Sequence, residues 1–292
     1  MKEEASVKII VNADDLGLTS QVNRGIIECH TRGIVSSASL AVNASATEDA
    51  VNSVRQLPDL GVGIHLTLTL GRPVLPRQKV PSLVTESGHF YPLYPFLIRL
   101  LTRRISSGEI YAEVNAQVRK FLSFGLPCTH VDMHRHLHVF PHIIAPVLQM
   151  AHNNGLSRIR LPKEEGGIKS GSGSWGAVFT SQFIKALLLR GLSRRAERIF
   201  GSHEMHYPDT FCGIEMMADQ CDADRFLNMI LNCKPGVNEI MCHPAYPEET
   251  FCDLDGYDTV KRYNELKLLV DPELRGLIEA SKIQLVTYSA VN

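Results

Sequence analysis

The sequence predicts an α/β protein folded as one (β/α) barrel, and three observations carry that reading. Short, β-branched apolar runs alternate with longer stretches of helical period, the pattern of parallel strands joined by crossover helices. Ionisable residues collect directly after at least five of these runs, and a barrel gathers its chemistry at the carboxyl ends of its strands. An open doubly wound sheet would concentrate them at one switch point, usually beside a glycine-rich phosphate loop, and no such loop is present.

The first strand is expected over 7–11, then a helix from about 21 to 32 capped by Thr19 or Ser20. Next come a strand over 37–42, a helix near 47–56 and a strand over 61–68. A loop rich in proline and glycine, 71–88, leads to helical segments near 95–104 and 109–124. A strand over 129–133 precedes a helix over 141–153, whose first-turn proline has no N–H to waste. Residues 158–161 read as a strand and 183–200 as a long amphipathic helix. Strands over 237–242 and 283–288 close the series. No repeat, low-complexity tract or linker divides the chain. It therefore reads as a single domain, 1–292, with helical insertions near 90–125 and 165–205.

Composition narrows the setting. With 44% apolar and 21% charged residues, the chain can bury a sizeable core. Its net charge of -1 supplies no global field for nucleic acid, which is not expected as a partner. Seven cysteines (Cys29, Cys128, Cys212, Cys221, Cys233, Cys242 and Cys252) are an odd number without a Cys-x-x-Cys pair. That argues against a disulfide framework or thiolate zinc cage and for a reducing, cytoplasmic setting. The opening MKEEASVKIIVNADD lacks the apolar stretch of a signal peptide, and no run nears the ~20 apolar residues of a membrane span.

Asp14 and Asp15 come just after the run Ile9-Ile10-Val11. Adjacent carboxylates at a strand end repel unless a cation or proton compensates, although Asp also favours plain turns. Neighbouring side chains of a regular strand point to opposite faces, so both can enter one site only if the chain is already leaving the strand. His65, in the apolar strand Val62-Gly63-Ile64-His65-Leu66, reads alone as a satisfied core residue more readily than as a ligand. Its company changes the weighing. In Thr129 to His138, a period of two places Asp132, His134, His136 and His138 on one face for as long as the strand lasts. A divalent metal explains why they converge, since imidazole and carboxylate are its donors where thiolates are absent. A polar barrel rim with incidental histidines is the other reading. Not all four can be ligands. Some must orient the others or contact substrate, and Arg160 ends the next strand. His243 ends a late strand before Pro244 and has the pKa class for proton donation near neutral pH, unless it simply faces solvent.

Asn-Ala-Asp-Asp-Leu-Gly (Asn12 to Gly17), Gly-Ile-His-Leu (Gly63 to Leu66), Thr-His-Val-Asp-Met-His-Arg-His-Leu-His (Thr129 to His138) and Met-Cys-His-Pro-Ala (Met241 to Ala245) resemble the signatures of YdjC-like carbohydrate deacetylases. This family includes the chitooligosaccharide deacetylases. The motifs stand in family order, from about Val7 to the last strand, and are specific jointly rather than singly. Leu16 departs from the usual phenylalanine, a conservative change. The resemblance implies a distorted, TIM-barrel-like (β/α) barrel and one divalent ion, Mg²⁺ first, with Zn²⁺, Co²⁺ and Mn²⁺ as alternatives. It implies Asp15, His65 and His134 as metal ligands and Asp14 as base, which leaves Asp132, His136, His138 and Arg160 to orient the ligands or contact substrate. By looser similarity to the wider polysaccharide deacetylases, it implies His243 as leaving-group acid. The reaction implied is removal of the acetyl group from an N-acetylated amino sugar, small or lipid-linked. Gly71-Arg-Pro-Val-Leu-Pro76 and the long middle region look closest to the hopanoid-biosynthesis-associated branch, which adds an N-acetylglucosamine-bearing polycyclic lipid to the candidate substrates.

Two other classes stay open on the residues. One is a different metal-dependent barrel hydrolase, a phosphoesterase or cyclic amidohydrolase, although those usually open with His-x-His rather than Asp-Asp. The other is a non-catalytic sugar-binding relative. The basic, apolar stretches 93–104 and 183–200 are expected to pack one face on the barrel and solvate the other. The alternative is peripheral contact with an anionic membrane or a lipid-linked sugar. Assembly as a homodimer is left open.

Overall fold

The structure, a computed structural model, describes residues 6–164, 181–214, 223–248 and 258–292. The chain runs β1 (Val7–Leu16), α1 (Ser20–Thr31), β2 (Ser37–Leu40), α2 (Thr47–Val54), β3 (Gly61–Leu66), α3 (Leu93–Leu101), α4 (Ser107–Ser123) and β4 (Val131–Met133). It continues with α5 (Pro141–Asn153), α6 (Ser181–Ser202), β5 (Thr210–Cys212), α7 (Ala223–Leu231), β6 (Gly236–Cys242), α8 (Thr259–Leu269), α9 (Pro272–Ala280) and β7 (Gln284–Leu285).

All strand pairings are parallel, in the order β4-β3-β2-β1-β6-β5, with β7 lying beside the start of β1. The two edges of this sheet meet through the segment 158–164. Val131 of β4 bridges Ile159, and Glu164 bridges Phe211 of β5, both in parallel. Seven parallel segments thus close into a ring, which is the predicted (β/α) barrel. Its distortion lies at this seam, where single bridges replace a full ladder. The central strand β1 is buried from Ile9 onward, as a parallel strand covered on both faces must be.

Boundaries differ where local chemistry overrides periodicity. Strand β1 runs five residues past the expected 11, because Asn12 to Leu16 stay buried in the ring. Thr19 is the cap of α1, its Oγ1 accepting the Val22 N–H at 3.1 Å. Helix α3 starts at Leu93 and stops at Leu101, short of 104, with Arg103 in the left-handed region (φ 56°). The last strand shrinks from 283–288 to Gln284–Leu285, and Tyr288 turns into the core. Strand β5 has no counterpart among the expected elements, since three residues show no period. Of the expected 165–205 insertion, 165–180 lies outside the described residues, as do Cys221 and Cys252, and α6 supplies the rest.

Helix α3 buries Phe96 and Leu100 but leaves Tyr94, Ile98 and Leu101 58, 62 and 75% exposed, so its outer face is apolar rather than polar. No helix among the described residues is long and apolar enough to cross a membrane. Inside the ring, Gly63 has a physical reason to be glycine. A Cβ there would sit 2.3 Å from the His130 ring, which lies across β3 and stacks on Tyr288 at 3.7 Å.

Candidate metal and catalytic centre

Two adjacent aspartates reach one site because β1 breaks its own alternation. The register with β2 slips between Ala13 and Leu16, and Asp15 takes a left-handed conformation (φ 68°) that Asp tolerates better than most residues. Gly17 lies two residues on at φ 90°, where a Cβ would press on the Ala41 carbonyl at 2.9 Å. Both carboxylates end up buried at the carboxyl mouth of the barrel. The chain does not leave the strand here, since β1 runs on to Leu16; the break in register brings both side chains into one site instead.

Asp15 Oδ1 stands 3.5 Å from Nε2 of His65 and 3.4 Å from Nδ1 of His134. These are long for hydrogen bonds, and Nε2 of His65 is buried with no hydrogen-bond partner. Donor atoms about 2.1 Å from a common ion, at roughly tetrahedral angles, lie about 3.4 Å apart. The three residues therefore fit a divalent ion. His65 is aimed by Asp132, whose Oδ1 takes the Nδ1–H at 2.9 Å and leaves Nε2 toward Asp15. Burial alone would lower the His65 imidazole, but Asp132, with Asp14 and Asp15 beyond, pushes it up to about 9. Burial would raise Asp15, yet the Arg262 guanidinium at 2.5 Å, then His134 and His65, holds its carboxyl well below the usual range.

A second group, Asp14, His65 and Asp132, is as compact. Its donors already serve one another and Arg160. The guanidinium of Arg160 clamps both oxygens of Asp14 at 2.6 and 2.7 Å, and Asn12 Nδ2 adds a bond of 2.9 Å. Arg160 also meets Asp132 at 2.8 Å and Glu239 at 2.8 Å, so one buried cation faces three carboxylates. Asp132 further accepts from Ser39 Oγ at 2.9 Å, whose neighbour is Nε2 of His130. Glu239 accepts the Tyr288 hydroxyl, and burial pushes its carboxyl up to about 7.

His243 stands at the end of β6 with Nε2 4.0 Å from Asp14 Oδ2. Its backbone N–H is held by Glu265 at 2.5 Å. Burial first, then Arg262, pushes its imidazole down to about 4, so it is neutral at neutral pH rather than in the expected near-neutral class. The one-face placement of Asp132, His134, His136 and His138 ends with the strand at Met133. Left-handed Arg135 and His136 (φ 59° and 55°) turn the chain away from the strand direction. His136 packs edge-on against Phe211, while His138 is buried under the Arg160 carbonyl at 2.9 Å. Ser39, His130, Glu239, Arg262, Glu265 and Tyr288 do not stand out in the sequence. Glu239 carries the one usable signal, as a carboxylate inside an otherwise apolar strand.

A parallel barrel that gathers carboxylates and imidazoles from the ends of β1, β3, β4 and β6 around a buried nitrogen without a hydrogen-bond partner is an α/β barrel with a buried polar centre at its carboxyl mouth. The chain belongs to the YdjC-like protein family, which it matches over residues 8–280. A carbohydrate deacetylase of Brevibacillus brevis is 36% identical over 97% of this chain and 99% of its own length. One from Geobacillus stearothermophilus is 34% identical, with 96% of each chain covered. A chitooligosaccharide deacetylase of Proteus mirabilis is 32% identical over 96% of this chain and 97% of its own. Among solved structures, a provisionally assigned cellobiose-phosphate cleavage protein from Enterococcus faecalis superposes with a TM-score of 0.76. It is 29% identical and covers 97% of this chain and 98% of its own.

Proposed function

We propose that this chain is a metal-dependent hydrolase that removes the acetyl group from an N-acetylated amino sugar and releases acetate. The observation that carries the reading is the Asp15–His65–His134 group with its partnerless Nε2, set beside an arginine-clamped Asp14. The names of the relatives supply the substrate class. A divalent ion held by those three residues would supply Lewis acidity, activating a water and polarising the acetamide carbonyl.

The rest of the chemistry belongs to the chain. Asp14 takes the proton of the attacking water, its carboxylate kept in one orientation by Arg160 and Asn12. Amide cleavage needs a proton on the departing nitrogen, because an amide anion is a very poor leaving group. His243, neutral at rest, receives the proton held by Asp14 across the 4.0 Å between them and passes it to that nitrogen. Acetic acid and the amine result; the acid ionises to acetate and its proton goes to the amine or to solvent, which balances the proton count. His136, His138 and Asp132 serve as supports in this reading, and Arg160 acts through Asp14 rather than on the substrate.

The test is acetate release from N-acetylglucosamine oligomers with and without a chelator, then re-addition of Mg²⁺, Zn²⁺, Co²⁺ or Mn²⁺. Activity should vanish with chelation and return with one of the four ions. Undiminished release in chelator contradicts metal dependence. No release from any N-acetylated sugar, together with hydrolysis of a phosphoester or cyclic amide, moves the chain to another class of barrel hydrolase.

A further inference from the structure

We propose that Arg262 confines Asp15 to a one-oxygen hold on the bound ion and thereby sets which divalent cation the site retains. The proposal rests on the reading of Asp15, His65 and His134 as ligands. Arg262 lies in the first turns of α8, a helix capped by Asp258 through the N–H groups of Val260 and Lys261. Its Nη2 donates to Oδ2 of Asp15 at 2.5 Å, and both side chains are buried. The oxygen left over is Oδ1, the atom that faces Nε2 of His65 and Nδ1 of His134. One turn further along, Glu265 accepts the backbone N–H of His243. Helix α8 is thus tied to the ends of both β1 and β6, and the guanidinium has little freedom to leave its carboxylate.

An ion at this site feels two effects. The charge of Asp15 is balanced by Arg262, so the ligand set offers two neutral imidazoles and little net negative charge. With Oδ2 engaged, the carboxylate cannot swing to a two-oxygen grip. Large, oxygen-seeking Ca²⁺ depends on carboxylate charge and on two-oxygen grips. Zn²⁺ and Co²⁺ draw more of their binding from imidazole nitrogen, which Arg262 does not touch. The arrangement discriminates against the first kind of ion, and it leaves the second kind with its positive charge least compensated.

The experiment is a comparison of dissociation constants for Zn²⁺, Mn²⁺ and Ca²⁺ by competition titration in the wild-type protein, Arg262→Gln and Arg262→Lys. In Arg262→Gln the affinity for Ca²⁺ should rise relative to that for Zn²⁺ by on the order of tenfold or more. Arg262→Lys, which still places a cation on one oxygen, should stay near the wild-type ratio. Equal weakening of all three ions by Arg262→Gln, with the ratio unchanged, would mean that Arg262 only props up the fold, and overturns the proposal. Should Arg262→Gln fail to fold, the wild-type protein still decides. Infrared difference spectra on Zn²⁺ loading should show the wide carboxylate splitting of a one-oxygen ligand, and a two-oxygen pattern overturns the proposal. His65→Ala separates the two levels. If it leaves wild-type ion binding untouched, the ligand reading itself fails and takes this proposal with it.

Discussion

Asp14→Asn is expected to lose on the order of 10²–10⁴-fold in kcat while retaining its divalent ion, the usual contribution of a positioned base. The carboxylate is clamped by Arg160 and lies beside His243, outside the Asp15–His65–His134 group. Neutralising it should not unfold the protein, because Arg160 keeps Asp132 and Glu239 as partners. Steady-state kinetics at saturating metal, read with ion titration, checks this. A variant that loses metal yet keeps turnover when metal saturates would show that Asp14 and Asp15 have exchanged roles.

Arg160→Met is expected to be the most damaging single change to stability, costing about 3–5 kcal/mol, because it leaves buried charges without their counter-ion. Asp14, Asp132 and Glu239 would then share a dry pocket with no guanidinium. The loss should depend on pH, with a definite sign. In the wild-type protein Arg160 holds Asp132 well below the usual carboxylate range against the cost of burial. Its stabilising contribution is present above the unfolded pKa of about 3.9 and is lost as pH falls through the folded value. Glu239 is raised to about 7, so its contribution is fully present below about 4.3 and is lost as pH rises through 7. Removing the cation drives both carboxyls upward and adds destabilisation at high pH. The melting-temperature deficit of the variant should therefore widen from pH 5 to pH 8. An equal deficit at both pH values contradicts this account.

Much of the barrel and its centre is legible in the sequence, for identifiable reasons. Parallel strands covered on both faces leave continuous apolar runs, and Asp14, Asp15, His65, Asp132 and His243 interrupt or end those runs, so they stand out against their neighbours. What periodicity cannot show is backbone geometry. The left-handed turn at Asp15 brings two adjacent carboxylates together, and the paired left-handed residues Arg135 and His136 scatter four groups that alternation would align. Nor can spacing show partners remote in sequence. Arg262 meets Asp15 across 247 residues, on a helix whose own pattern is that of any solvated surface helix. His243 exposes the same limit in its chemistry. A strand-end histidine suggests a near-neutral group, but only the depth of the pocket reveals how far burial lowers it.

The central claim is that Asp15, His65 and His134 hold one divalent ion. A crystal structure of the protein loaded with Zn²⁺ or Mn²⁺, with the ion located by its anomalous scattering, tests it most directly. A single strong peak is predicted about 2.0–2.3 Å from Asp15 Oδ1, His65 Nε2 and His134 Nδ1, with Asp14 still clamped by Arg160. An ion seated instead among Asp14, His65 and Asp132, or a saturating soak that leaves the three donors without one, would contradict it.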